Sequence, residues 1–478
     1  MGKSGTRASA AEVLVHLDRS ASVPLHIQLE QVLRDQIRSG VLQAGAILPS
    51  TRVLASDLGI SRRLVVEVYQ QLSAESYLST AERSTTRVGK VDGVEARAAP
   101  HDPPVARYDL RPGMPGLSEF PRAAWLKSIT TAMKSAPTAA FAYPDPRGSN
   151  VLRNVLAEYL CRVRAVAAEP DRMVICAGFT QALSLLTHVT HGQVIALEDP
   201  GVIGRAKTIL AAGGKYVDIP VDDMGLRSDL LPDIDAAAVV VAPAHHFPLG
   251  VTLAASRRSR LLSWARGDRL IIEDDYDAEF RYDRQPVGAV QGLAPEQVAY
   301  VGTVSKTLAP AMRLGWLVLP GSLVDSITEA KRNHDAGSPT LDQLALADMI
   351  ECGAYERHLR RVRRIYRQRR DHLVKAIRTY LPAARIGGIA AGLHLVVRLP
   401  LDRDSAEIVA AAAENDLAIA GLHRYLLTDM ADSQCRILVG YANVTPDAMD
   451  TAIRKLARIV TPLDGRRLRS VTNPIALM

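Results

Sequence analysis

From residue 173 onward, short apolar runs alternate with longer stretches of helical period. The runs are Met173–Cys176, Val194–Leu197, Ala238–Ala242, Arg269–Glu273, Val298–Gly302 and Leu314–Leu319. Each is too short for a helix and too apolar for a solvent-facing strand. Their alternation with helices predicts an α/β fold with a mainly parallel sheet and helices on both faces. At 478 residues the chain exceeds what one hydrophobic core organises, so more than one domain is expected.

The stretch before the sheet reads differently. Leu25, Leu29, Val32, Leu33 and Ile37 recur at helical spacing and stop at Gly40, which suits a helix C-terminus. Pro49-Ser50-Thr51 opens a short helix that runs to Leu58, and Gly59 supplies a turn. Ser61 is an N-cap for a further helix whose buried stripe is Leu64, Val65, Val68, Tyr69 and Leu72. Pro100, Pro103 and Pro104 then punctuate a segment without apolar period. The expected division is a tail at 1–22, a helical domain at 23–90, a linker at 91–107 and a large domain at 108–478 with a smaller C-terminal subdomain.

Composition narrows the classes. Hydrophobic residues at 47% and charged residues at 23% are a globular balance. The net charge of +7 leans towards a polyanionic partner without establishing one. Cys161, Cys176, Cys352 and Cys435 form no C-x-x-C pair, so no structural metal site or disulfide framework is expected, and a reducing cytoplasm fits. The apolar run of the N-terminus is broken by His16 and Asp18, unlike a secretory signal. The longest apolar stretch, Ala236 to Ala244, is too short to span a membrane.

Two short helices joined by a glycine turn are the helix-turn-helix pattern, in which the second helix enters the major groove of DNA. Arg62 and Arg63 stand at the start of that helix, clear of the buried stripe. An arginine fork paired with guanine is worth about 1–3 kcal/mol of discrimination. Arg52 is placed to hold a phosphate, and Ser50, at the start of the first of the two helices, and Ser61, at the start of the second, complete the candidate DNA-binding set. Residues 1–90 carry 11 basic and 8 acidic side chains, so pattern supports DNA binding more than charge does. The bland alternative is a helical dimerisation domain with solvated arginines.

In the large domain, chemistry collects at three strand ends. RLIIEDDYDAEF runs into Asp274 and Tyr276, YVGTVSKTLAPAMRLGW carries Lys306 and Arg313, and ICAGFTQALSLL leads through Gly178 into a helix. Strand C-termini of open α/β sheets face the ligand crevice. Together these residues suit pyridoxal phosphate (PLP). Lys306 is the amine for a Schiff base with the aldehyde, and Asp274 is a carboxylate for the ring nitrogen. Arg313 and the helix start at Gly178 suit the phosphate, and Tyr276 is a phenol for the ring oxygen. Phe179, Thr180, Thr303, Ser305 and His245 complete the candidate cofactor set. GTVSKT lacks the second glycine of a nucleotide loop. EDDYD lacks the histidine or further acidic motif of a metal site, and adjacent His245 and His246 are poorly spaced to share a metal.

PLHIQLEQVLRDQIRSGVLQAGAILPSTRVLASDLGISRRLVVEVYQQLSAESYL resembles the winged-helix domain of GntR-type regulators. YPDPRGSNVLR, CAGFTQAL, LEDPG, HHFPLG, EDDYDAEFRY, TVSKTLAPAMRLGW and CRILVGYA resemble blocks of fold-type-I aminotransferases. Their fusion in this order is similar to the MocR subfamily. The resemblance implies a regulator that binds operator DNA and senses an amino compound, or PLP itself, through an internal aldimine at Lys306. It further implies Arg436, with Arg424 as a rival, for the effector's carboxylate, and a domain-swapped homodimer. The alternative is a working aminotransferase with a DNA-binding-like appendage. The chain departs from the family pattern at Ser76, where glycine is usual, at Leu64, where threonine is favoured, and at the wing tip Glu82–Thr86. In the large domain it departs at Val202, where an aromatic is usual, at His246, where the regulators have glutamine, and at Phe247, where enzymes place asparagine. The last three argue against efficient transamination. The arginine-rich helix around Tyr355–Lys375 is read as a phosphate-tracking surface, or else as a solvated face that pairs with acids elsewhere.

Overall fold

Each helix boundary expected near the N-terminus coincides with a physical stop. The computed structural model describes residues 15–80, 85–90, 106–283, 287–428 and 434–461. Most of the tail and linker and the wing tip at 82–84 lie outside them. The chain forms two units, Met1–Pro104 and Val105–Met478.

In the first unit, helices span Leu25–Arg38, Thr51–Leu58 and Arg62–Ala74. The Ser50 and Ser61 hydroxyls accept from the amides of Val53 and Leu64, both at 3.3 Å. Such caps satisfy N–H groups that a helix start leaves open. Gly59 ends the middle helix at φ +62°, and Arg19 donates to its carbonyl at 2.7 Å. Leu29, Leu33, Leu54, Val65, Val68, Tyr69 and Leu72 form one core. Strands Leu78–Thr80 and Thr86–Val88 pair antiparallel to make the wing. Ser76 sits in the left-handed region at φ +65°, a conformation that favours glycine.

The second unit holds an eight-stranded sheet. In spatial order its strands are Met173–Cys176, Gly315–Val318, Val298–Thr303, Leu270–Asp275, Ala238–Val241, Val194–Asp199, Lys215–Asp222 and Gly225–Leu226. The pairs from Val298–Thr303 through Lys215–Asp222 run parallel. Gly315–Val318 runs antiparallel to both neighbours, and Gly225–Leu226 pairs antiparallel with Lys215–Asp222. All six expected strands are present, and the last two of the spatial order were not anticipated. One apolar cluster lines one face of the sheet, and two others line the opposite face. A smaller sheet of Arg385–Gly387, His394–Arg398, Arg436–Gly440 and Ala420–Gly421 packs with the helix Pro446–Val460.

The helix Ala354–Tyr380 carries the arginine-rich face. Much of that charge is used inside the unit. Arg361 and Arg369 both reach Glu119 at 2.9 Å. Arg360 lies 3.7 Å from Glu356, and Arg363 donates to the Arg281 carbonyl. Arg364 and Arg367 are exposed. Among the described residues, no helix is long and apolar enough to cross a membrane, and no cluster of His, Cys, Asp or Glu is suited to a metal ion.

Candidate functional site

The strand ends of the large unit open into a cavity of about 590 Å³. Lys306, Asp274, Tyr276, Phe179, Thr180, Thr303, Ser305 and Arg313 all line it, together with Val202, Arg205 and Phe247. One site thus gathers side chains from three sequence blocks spread between Phe179 and Arg313.

Lys306 follows the strand Val298–Thr303. Its Nζ donates to the Gly113 carbonyl at 2.6 Å. Burial lowers its pKa, while Asp277 and Asp274 act in the opposite direction. A less basic lysine is closer to the neutral amine that attacks a carbonyl.

Gly178 turns the strand Met173–Cys176 into the helix Phe179–Val189 at φ +86°, a conformation suited to glycine. A Cβ built there would stand 3.7 Å from both Thr303 Oγ1 and an Arg313 nitrogen. The helix start, the arginine and the hydroxyl therefore converge. Thr303 Oγ1 and Ser305 Oγ are 2.9 Å apart. This is a place for an anion, with open N–H groups of the first helical turn beside a guanidinium.

The acids of EDDYD divide their work. Glu273 accepts from the amides of Val290 and Gln291, both at 2.8 Å. Asp275 pairs with Arg164 at 2.7 Å and accepts from the Tyr300 hydroxyl at 2.6 Å, with both ionic partners buried. Asp277 lies 2.8 Å from His245 Nδ1. Asp274 faces the cavity. Its Oδ2 pairs with Arg205, while its Oδ1 is buried without a hydrogen-bond partner. Burial pushes the Asp274 carboxyl up to about 6, and the Arg205 guanidinium opposes that rise.

Two expected residues stand elsewhere. His245 is not among the lining residues; its Nδ1 lies 3.1 Å from the Tyr276 hydroxyl, behind that ring. Arg436 starts its strand opposite Arg398 and is not a lining residue either. Two residues on, Leu438 is buried in a small apolar cluster that includes Phe247 and Tyr425. Arg424 is exposed.

Arg205 was missed. An arginine in a helical stretch reads as solvated. Its spacing of four from the buried Ile209 was the available signal that it faces inward. Glu198 behind it, at the end of the strand Val194–Asp199, accepts from the Ala242 amide at 3.1 Å. Burial pushes Glu198 up to about 8.

In the first unit, Arg52, Arg62 and Arg63 are exposed at the starts of their helices, beside the capping serines.

Residues 116–456 match the family Aminotransferase class I and II, and residues 25–88 match Bacterial regulatory proteins, gntR family. The chain belongs to the GntR-type regulators that carry an aminotransferase class I and II domain. It is 34% identical to the probable rhizopine catabolism regulatory protein MocR of Rhizobium meliloti, over 94% of this chain and 96% of that one. It is 30% identical to the pyridoxine biosynthesis transcriptional regulator PdxR of Corynebacterium glutamicum, over 94% and 99%. The large unit is similar to a Pyrococcus horikoshii kynurenine aminotransferase solved with PMP. The TM-score is 0.68 at 25% identity, over 74% of this chain and 90% of that one. The chain is therefore a helix-turn-helix transcriptional regulator with a PLP-dependent type of domain.

Proposed function

We propose that the large unit holds PLP at Lys306 and that the state of this site, changed by an amino compound or by PLP supply, sets operator binding by the winged helix. The observation that carries the reading is the unpartnered buried Oδ1 of Asp274 in the same cavity as the Lys306 amine. A buried carboxylate oxygen without a donor is costly. A protonated pyridine ring would supply the missing donor.

PLP brings an aldehyde that condenses with an amine and a ring that withdraws electrons. The chain's residues do the rest. Lys306 offers the amine. Asp274 accepts from the ring nitrogen. Arg313, Gly178, Phe179, Thr180, Thr303 and Ser305 would hold the phosphate, and Tyr276, backed by His245 and Asp277, would offer its phenol to the ring oxygen. Val202 and Phe247 give apolar walls at the places where the resemblance implies an aromatic ring in the regulators and an asparagine in the enzymes. The site is built to hold an amine more than to turn it over.

Phe247 also offers a route out of the cavity. Its ring packs edge-on against Tyr425 at 5.1 Å. The segment after Tyr425 is latched to the cavity's rim. Gly201 N donates to the Tyr425 carbonyl at 2.7 Å, and Leu427 N and the Thr428 hydroxyl donate to Asp199 at 2.9 and 3.0 Å. A ligand that displaces Phe247 loads this latch. Only a ligand with different affinity for the two latch states shifts the balance between them.

Operator contact is assigned to Arg52, Arg62 and Arg63, with Ser50 and Ser61 at the same surface. A cytoplasmic location accords with that task. A homodimer, domain-swapped as the family resemblance implies, is supported by the exposed apolar side chains Leu126, Met133, Phe141 and Tyr143, the last 94% exposed. The test is a PLP titration of wild type and Lys306→Ala, with operator affinity followed as candidate amino compounds are added. Wild type is expected to take up PLP and to change its operator affinity with one of the compounds. Steady turnover of amino and keto acids would support the aminotransferase reading instead.

A further inference from the structure

Arg205 is a buried cation that the cofactor set above does not use. Burying a guanidinium costs several kcal/mol unless it is paired. Here it is held on three sides. It pairs with Asp274 Oδ2, its other terminal nitrogen lies 3.9 Å from Glu198, and its Cζ lies 4.9 Å from the centroid of the Phe179 ring. Both Arg205 and Phe179 line the cavity. The carboxylate of Asp274 therefore meets a cation whose orientation is fixed. One oxygen is taken and the other is left without a partner.

We propose that Arg205 is the positioning residue that aims Asp274: it ties up Oδ2 and leaves Oδ1 as the acceptor for the cofactor's ring N–H. The proposal rests on the PLP reading above. Arg205 is not a spare anchor for an effector's carboxylate, because its charge is already committed to Asp274. It also keeps Asp274 ionised against burial. The titratable groups around the pair come from every packed element. Glu198 comes from the neighbouring strand, and His246, which burial pushes down to about 3, from the loop after Ala238–Val241. Asp275, Tyr276 and Asp277 are on Asp274's own segment, and Lys306 faces it from across the cavity. With Glu198 pushed up to about 8 and His246 neutral, Arg205 and Asp274 form the charged pair at neutral pH.

The experiment is equilibrium PLP binding by the full-length chain, from about pH 5 to 9, a range that brackets the Asp274 carboxyl at about 6. The variants are Arg205→Leu, Arg205→Lys, Asp274→Asn and the Arg205→Leu/Asp274→Asn double. Arg205→Leu is expected to weaken PLP binding about tenfold or more, the size of one lost charge-assisted hydrogen bond. The loss is greatest at the acid end, where Asp274 without its arginine takes up a proton. Arg205→Lys restores most of the affinity. In the Asp274→Asn background the leucine change costs less than about twofold, because the two residues act as one unit. The same cost in both backgrounds, or no cost in either while Lys306→Ala abolishes uptake, overturns the positioning role and leaves the PLP reading intact. A wild-type chain that takes up no PLP, or a Lys306→Ala chain that binds it as tightly, overturns the PLP reading and this proposal with it.

Discussion

The two units keep their working charges in opposite places. The winged helix puts Arg52, Arg62 and Arg63 in solvent, at helix starts fixed by serine caps and a glycine turn. The large unit puts Asp274, Arg205 and Glu198 out of solvent and Lys306 largely so, each facing another charge. Exposed charges cost little to hold, so they can be changed without unfolding their domain. Buried charges hold one another, so each is part of the fold as well as of the site. This contrast separates the residues proposed to set affinity for DNA from those proposed to set both stability and ligand binding.

The largest expected effect comes from the exposed side. Arg62→Ala with Arg63→Ala should cost operator binding about 2–6 kcal/mol, two fork contacts at about 1–3 kcal/mol each. The melting temperature and PLP uptake should stay at wild-type values. Operator binding that survives the double change would move the DNA-reading surface elsewhere. On the buried side, Asp275→Ala leaves Arg164 without its carboxylate. It should cost about 3–5 kcal/mol of stability in denaturant unfolding. A cost below about 1 kcal/mol, typical of exposed pairs, would break the contrast.

A smaller effect is expected for His394, whose Nε2 is 2.9 Å from the Pro248 carbonyl. Burial pushes its pKa from 6.5 down to about 3, with His245 adding to the shift. The unfolded chain therefore binds a proton between those values that the folded chain excludes. Stability from this site is complete above about pH 6.5 and is lost as pH falls. His394→Gln should lose less melting temperature than wild type between about pH 7 and 5; equal losses would remove His394 from the acid response. The smallest effect is at Ser76. Its left-handed backbone is strained for a residue with a Cβ, so Ser76→Gly should stabilise the winged helix by about 0.5–1 kcal/mol. Hydrogen exchange across the wing would register it.

The contrast also explains what was legible. Caps, glycine turns and apolar stripes are local, so the three N-terminal helices could be read from sequence to within a residue or so. The six apolar strands were equally plain, because buried strands repeat valine, isoleucine and leucine. The strand Lys215–Asp222 was not, since its burial is mixed and it contains Asp218 and Pro220. The antiparallel sense of Gly315–Val318 depends on pairing that a single segment does not encode. Lys306, Asp274 and Arg313 were visible as strand-end chemistry. Arg205 was not, because its meaning lies in a partner 69 residues away. His245 was expected at the cofactor and stands behind Tyr276, a difference of depth that spacing does not reveal.

Lys306 is the proposed attachment point for PLP in the large unit's cavity. Hydride reduction of the full-length chain incubated with PLP, followed by peptide mass mapping, tests it most directly. A single stable adduct is expected, on the peptide that contains Lys306. An adduct confined to other lysines, or none at all, would contradict it.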